Sequence, residues 1–338
     1  MELLHVDEER IHHLNHFMRQ LLLAKSEDKP VIIAAYREIL NQVQPIDLFY
    51  VDMYKKDSEY SLEHIKESAD RFVNVFYHSL KNYAFTKHDH PFFQAMIDEN
   101  QAMIDHLNGM KKYFITDQSI IDHQLILIKT FETCLLFERK FIRLQNILFP
   151  KLEQKLPSAK PLSVLWSLHD DAKEQLKTIL SLLKEPVINL YAFKKLMGTY
   201  YYLIFGIIQK EKLILLPVAS KVLHTSQLDA MYDESMQYGY VLIERKPRKS
   251  DVIIDPQWIN NQFVVANGSL TIQQIHLLFN HLPIDITYVD QYDRVQYFNE
   301  TKTRHFPRNP SVIGRLVDYC HPPKSVHIVR EIIDNFKQ

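Results

Sequence analysis

The sequence predicts a mainly α-helical protein with a small α+β segment at its C-terminal end, and three observations lead to this. Only six glycines occur in 338 residues, too few for the tight turns of an all-β fold. Apolar residues recur at helical spacing from about Glu8 to Tyr238, with Pro near several expected helix starts. Beyond Tyr238, short β-branched runs separated by Pro, charge and Gly take over, which is strand patterning.

Taken in order, Glu8 to Leu23, Pro30 to Val43 and Pro45 to Tyr54 read as short helices of an N-terminal cap, residues 1–58. Ser61 offers an N-cap, and Ile65, Phe72, Val73, Phe76 and Leu80 then form one apolar face, a first long helix. His90-Pro91 opens a second helix with Phe93, Met96, Ile97, Ile104 and Leu107 on one face. A third runs from about Asp117 to Leu148 and ends or kinks at Pro150; a fourth follows Pro161, with Leu165, Ala172, Leu176, Ile179 and Leu183 inside; a fifth spans Val187 to about Leu216.

The third and fifth helices end alike, in Ile147-Leu148-Phe149-Pro150 and Ile214-Leu215-Leu216-Pro217. Such an echo suggests a duplicated hairpin, a common origin of an antiparallel four-helix bundle, here residues 59–238. Tyr240 to Ile243, Val252 to Ile254 and Phe263 to Val265 read as short strands in a linker, 239–268. From 269 to 338 a helix leads to Leu282-Pro283, and Ile284 to Val289 and Val295 to Phe298 flank Asp290-Gln291-Tyr292-Asp293 as a hairpin.

Composition excludes several classes of function. Lys plus Arg and Asp plus Glu nearly cancel, to net charge −1, and the one compact basic run, Arg245 to Lys249, reads as a solvated linker, so nucleic acid is not an expected partner. Cys134 and Cys320 lie far apart with no CxxC spacing, which suits a reducing cytoplasm. The first residues lack a signal-peptide pattern, and the longest apolar tract, Tyr200 to Val218, is broken by Gln209-Lys210-Glu211-Lys212, so no membrane span is expected. No phosphate loop, nucleophile-base pair or GxSxG turn points to an enzyme. His12 and His16 have a spacing that can hold zinc, but no further ligands stand nearby and a surface helix explains them. Met96, Met103 and Met110 read as ordinary core or flank residues.

Leu282 to Asp290, Asp293 to Phe298, Val312 to Arg315 and Cys320 to His327 together resemble a bacterial family that joins a hemerythrin-type (HHE) helical bundle to a C-terminal PAS domain. His90-Pro91 with Glu99-Asn100, Asn146 to Glu153, Leu165-Trp166 with His169-Asp170-Asp171, and Lys210-Glu211 with Leu215 to Pro217 carry the resemblance through the helical part. It implies a hemerythrin-like antiparallel four-helix bundle with an N-terminal helical cap and a partial PAS domain. The family's PAS sheet has five strands, and this chain stops after Ile332 to Phe336, where three would follow. Two strands alone are marginal and leave open edges, so either the runs between Tyr240 and Val265 or a second subunit would have to supply more. Cys320 and His321 belong to the family signature, and a packed turn before Pro322-Pro323 also explains them.

The family's di-iron site needs five to seven His and carboxylate ligands from four helices, and most positions differ here. The first-helix Cys-Asp-x-His element corresponds to Ala69-Asp70-Arg71-Phe72, which puts Phe72 at the ligand position. His-Tyr-x-Arg-Lys-Glu-Asn corresponds to Lys140-Phe141-Ile142-Arg143-Leu144-Gln145-Asn146, so Lys140 stands for a His and Gln145 for a Glu. Before the second aliphatic-Pro signature, Ile207 and Lys212 replace ligands and Glu211 remains.

His90, His169 and Glu211 are thus the residual metal candidates, with Glu99 and Asp171 as weaker ones. Each has an ordinary reading: an N-cap for His90, a hydrogen-bonded core histidine for His169, a solvated helix face for Glu99. A buried Glu211 needs a partner, and Lys140, at the lost His position, is the candidate for a buried ion pair with it. The expectation is a non-catalytic regulatory, sensor-type or interaction protein without a cofactor, binding a protein partner or itself through the partial PAS domain. The alternative is an iron-binding sensor of oxygen or nitric oxide, or an iron-delivery protein, and di-iron belongs to that alternative alone.

Overall fold

A computed structural model describes residues 6–54, 60–246, 257–265, 268–301, 309–321 and 325–337. The chain divides into two compact units, Met1–Arg248 and Lys249–Gln338. The first is helical and the second mixes helix with short strands.

The first unit opens with α1 (Glu8–Leu23), whose Asp7 side chain caps the Arg10 amide and whose Leu14, Phe17, Met18 and Leu21 are buried. The expected second helix is two pieces, α2 (Lys29–Ala35) and α3 (Arg37–Leu40), and the expected third is a pair of 3₁₀ turns, Pro45–Phe49 and Asp52–Tyr54. Asp47 explains that compact turn. Its buried carboxylate accepts from Arg10 Nε and Nη2 at 2.7 and 2.9 Å and from the Gln44 amide at 2.8 Å, so the chain winds tightly around one satisfied charge.

Ser61 caps α4 (Leu62–Val75), and α5 (Tyr77–Asn82) follows after a break at Phe76. Next come α6 (Pro91–Met110), a 3₁₀ turn at Lys111–Phe114, α7 (Asp117–Asp122), α8 (Gln124–Leu135) and α9 (Phe137–Arg143). The expected single helix from Asp117 to Leu148 is therefore segmented, with breaks at His123 and Leu136. It also continues through Pro150 as α10 (Phe149–Glu153), after a π-helical turn at Leu144–Leu148.

After α11 (Lys160–Lys184) and α12 (Leu190–Lys210), a second π turn at Glu211–Leu215 leads into α13 (Leu216–Val222), and α14 (Thr225–Ser235) ends the helices. Both π turns have one cause. Pro150 and Pro217 lack an amide proton and would clash with the carbonyl one turn back. The helix widens just before each proline, and the amides of Phe149 and Leu216 reach five residues back to the carbonyls of Leu144 and Glu211. The sequence echo is thus a repeated backbone device.

α11 is central, packing against α4, α8, α9 and α12, while α6 packs on α8, α12 and α14. The apolar faces meet in one core that includes the N-terminal turns. Met96, Met103 and Met110 are buried in it.

In the second unit, β1 (Gln257–Ile259), β2 (Gln262–Val265) and β3 (Gly268–Thr271) form an antiparallel meander. Thr271 then caps α15 (Ile272–His281). β4 (Thr287–Val289) and β5 (Val295–Phe298) make a separate antiparallel pair. Two 3₁₀ turns, Pro310–Val312 and Val317–Cys320, precede α16 (Val326–Phe336).

Three strand expectations change. Tyr240 to Ile243 has no strand structure, Val252 to Ile254 lies outside the described residues, and Phe263 to Val265 falls in β2. That strand belongs to the meander, so among the described residues none of these runs extends the β4–β5 pair. The hairpin is instead fixed locally. Asp290 accepts from the amides of Tyr292 and Arg294 and from the Gln296 side chain, and these bonds, the Arg294 amide above all, hold its carboxyl below the usual range. Asn299, fully buried, donates to the carbonyls of Phe279 and Ile284 and accepts from the Ile286 amide.

Candidate functional site

In a packed helical core a buried polar side chain needs a partner, and the first unit holds a layer of them. α6 supplies Glu99 and Asn100, α9 supplies Lys140 and Arg143, the first π turn Gln145, α11 His169, and the second π turn Glu211; all are buried. The turns matter to this layer, because each π turn carries one of its residues just ahead of a proline.

Lys140 Nζ donates to Glu211 Oε2 at 2.5 Å and to Asn100 Oδ1 at 2.6 Å. Asn100 closes the triangle by donating to Glu211 Oε2 at 2.8 Å. Beside it, Gln145 Nε2 donates to His169 Nδ1 at 3.2 Å, which makes Nε2 the protonated nitrogen of a neutral ring. That Nε2 faces Glu211 Oε1 at 4.0 Å, too far for a hydrogen bond, and neither atom has a hydrogen-bond partner among the described residues. The imidazole stacks on Phe141, with centroids 4.1 Å apart and planes 8° from parallel. Burial first, then Lys140 and Lys173, pushes the His169 imidazole well below its ordinary value.

A second buried pair lies alongside. Arg143 Nη2 donates to Glu99 Oε2, Arg143 Nη1 donates to the Gly239 carbonyl at 2.7 Å, and the guanidinium sits 4.4 Å from the Tyr240 ring centroid. Glu99 Oε1 accepts from the Val241 amide at 2.8 Å. Burial raises the Glu99 carboxyl, opposed by Arg143, Lys140 and the Val241 amide. Together these groups grip the segment that leaves α14. Gly239 and Leu242 there take left-handed backbone angles, φ +70° and +58°, so the chain turns rather than extends, and Arg245 pairs with Asp98 on α6. That pairing modifies the expectation of a wholly solvated basic run.

The sequence candidates separate accordingly. Lys140, Glu211 and His169 come together. His90 does not join them: its Nδ1 accepts from the Phe92 amide at 3.2 Å as the cap of α6, and its Nε2 is 3.1 Å from Asp229. Glu99 is fully buried rather than on a solvated face, and Asp171 pairs with Lys66 at 2.8 Å. His16 bonds the Tyr36 hydroxyl at 2.5 Å. Phe72 is buried and stacks on Phe76, and its neighbour Asp70 pairs with Lys210.

The donor set does not suit iron. Both carboxylates in the layer are bonded to cationic side chains, and cations repel a metal ion where ligands are required. Among the described residues no three His, Cys, Asp or Glu side chains are grouped to hold a metal. Arg143, Asn100, Gln145 and the Val241 amide are the functional groups that sequence reasoning misses. Arg143 is detectable only as a charge inside the buried stripe Phe137, Phe141, Leu144.

In the second unit, a groove of about 570 Å³ lies between the β4–β5 hairpin and α16, lined among others by Tyr288, Val289, Val317, Ile332, Ile333 and Phe336. No residue of α16 is buried, and Phe336 is largely exposed. Residues 275–338 match the PAS domain family, a stretch that lies wholly within this unit. No curated protein matches the chain.

Two outcomes follow from the polar layer. His169 stays neutral in the fold while the unfolded chain takes up a proton near the ordinary histidine value of 6.5. Its contribution to stability is present above that pH and lost as pH falls below it, by about 1.4 kcal/mol per pH unit. Urea unfolding between pH 7 and 5 should show this slope, and His169→Gln should flatten it. Arg143→Met removes the bond to the Gly239 carbonyl and the contact with Tyr240; hydrogen exchange should then speed up at residues 239–243 relative to the amides of α11.

Proposed function

We propose that this chain is a non-catalytic regulatory protein in which a metal-independent helical unit accompanies a PAS segment that binds a protein partner or a second copy. The PAS match at 275–338 supports a sensory or regulatory role. The finer reading is a hemerythrin-like bundle whose metal site has been converted to ion pairs. It rests chiefly on one observation: Lys140 Nζ holds Glu211 and Asn100 in the bundle interior. A cation fixed by covalent attachment satisfies the carboxylate without any exchangeable ion.

The PAS segment supports the interaction part of the proposal. Its α16 carries Ile328, Ile332 and Phe336 at half exposure or more, beside the groove under Tyr288, a surface suited to a partner's apolar side chains. No helix among the described residues is long and apolar enough to cross a membrane.

Metal analysis tests the proposal. Protein from iron-supplemented cells should be colourless, contain substoichiometric iron, and keep its unfolding midpoint when a chelator is added. About two irons per chain with a near-ultraviolet oxo-bridge band would instead support an iron-binding sensor or delivery protein.

A further inference from the structure

We propose that one end of the helical unit, formed by the segment from Lys111 to Lys129 and the turn between α11 and α12, docks on an anionic membrane surface. Four large apolar side chains project there: Ile115, Leu125 and Tyr191 are each 78% exposed and Val187 is 86% exposed. They belong to one patch because the two segments are tied together. Gln124 Nε2 donates to the Leu183 carbonyl at 2.7 Å and to the Glu185 carbonyl at 3.4 Å, and Lys194 pairs with Asp117. Phe114, next to Ile115, packs on Phe193 of α12 with ring centroids 6.1 Å apart. Exposed apolar side chains gathered in this way mark an interaction surface.

The charge around the patch identifies the partner. Lys111, Lys112, Lys129, Lys184, Lys194 and Lys195 lie on these segments or the helix ends beside them, against four acids, Asp117, Asp122, Glu132 and Glu185, of which Glu132 pairs with Lys184 and Asp117 with Lys194. This end is therefore positive on a chain whose total charge is −1. Lys111, Lys112, Lys129 and Lys195 are exposed and make no ion pair among the described residues. Apolar side chains that enter the headgroup layer, ringed by lysines, suit anionic lipid. A twofold contact with a second copy would bring the lysine rim against itself, which like-charge repulsion opposes. The apolar groups also stand at helix ends and on the turns beside them, Leu125 and Tyr191 in the first turns of α8 and α12, as separate projections, a form that a fluid interface accepts more readily than a flat protein face.

Co-sedimentation of the full chain with vesicles tests this. The protein should pellet with an equal mixture of phosphatidylglycerol and phosphatidylcholine, remain in the supernatant with phosphatidylcholine alone, and bind less as salt is raised. Leu125→Ser with Val187→Ser should weaken binding by about tenfold or more, and Lys111→Gln with Lys112→Gln should weaken it too, each with an unchanged unfolding midpoint. Failure to pellet with the mixed vesicles would overturn the proposal, as would binding that ignores both pairs of substitutions. A concentration-dependent dimer abolished by the serine variants, without vesicle binding, would assign the patch to a second copy and overturn it equally.

Discussion

A carboxylate and an ammonium buried in the same helical layer have to satisfy one another, and the interior of the first unit is arranged around that requirement. Glu211 meets Lys140 and Asn100 at 2.5 to 2.8 Å, so its Oε2 is fully engaged. Removing one member of such a pair leaves an uncompensated charge, whereas replacing both by apolar groups can cost little. The pair therefore constrains what the layer can contain more than it adds net stability. It also sets local polarity: the positive charge of Lys140 is one reason His169 remains neutral.

The backbone makes this layer possible. Two prolines force two π turns, which carry Gln145 and Glu211 in the layer. The second pair, Glu99 with Arg143, extends the same logic to the exit of the helical unit. There the Gly239 carbonyl and the Val241 amide take the place of side-chain partners. The first link runs from sequence to backbone geometry, the second from geometry to buried electrostatics, and the third from electrostatics to the path of the chain after α14.

The sequence reveals the helical stripes well because their spacing is physical: Leu165, Ala172, Leu176, Ile179 and Leu183 all face the core of α11. Breaks within helices are less legible. Nothing in the composition around Phe76 or Leu136 announces an interruption, because tertiary packing decides it. Tyr240 to Ile243 has strand composition, yet Glu99 takes its Val241 amide and Arg143 takes the Gly239 carbonyl just ahead of it, a long-range competition that no local pattern encodes. Glu99 is misread for the same reason: its burial depends on an arginine 44 positions away. Lys140 and Glu211 can be related in advance only through the resemblance, which identifies the positions where imidazole and carboxylate would face each other. The PAS segment is legible from its hairpin signature, and residues 275–338 carry the family match.

A double-mutant cycle on Lys140 and Glu211, read by urea unfolding, tests the central claim most directly. Lys140→Met alone should destabilise the helical unit by about 3–5 kcal/mol, and Lys140→Met with Glu211→Gln should recover most of that loss. Additive losses, or a Lys140→Met variant as stable as the parent, would contradict the account.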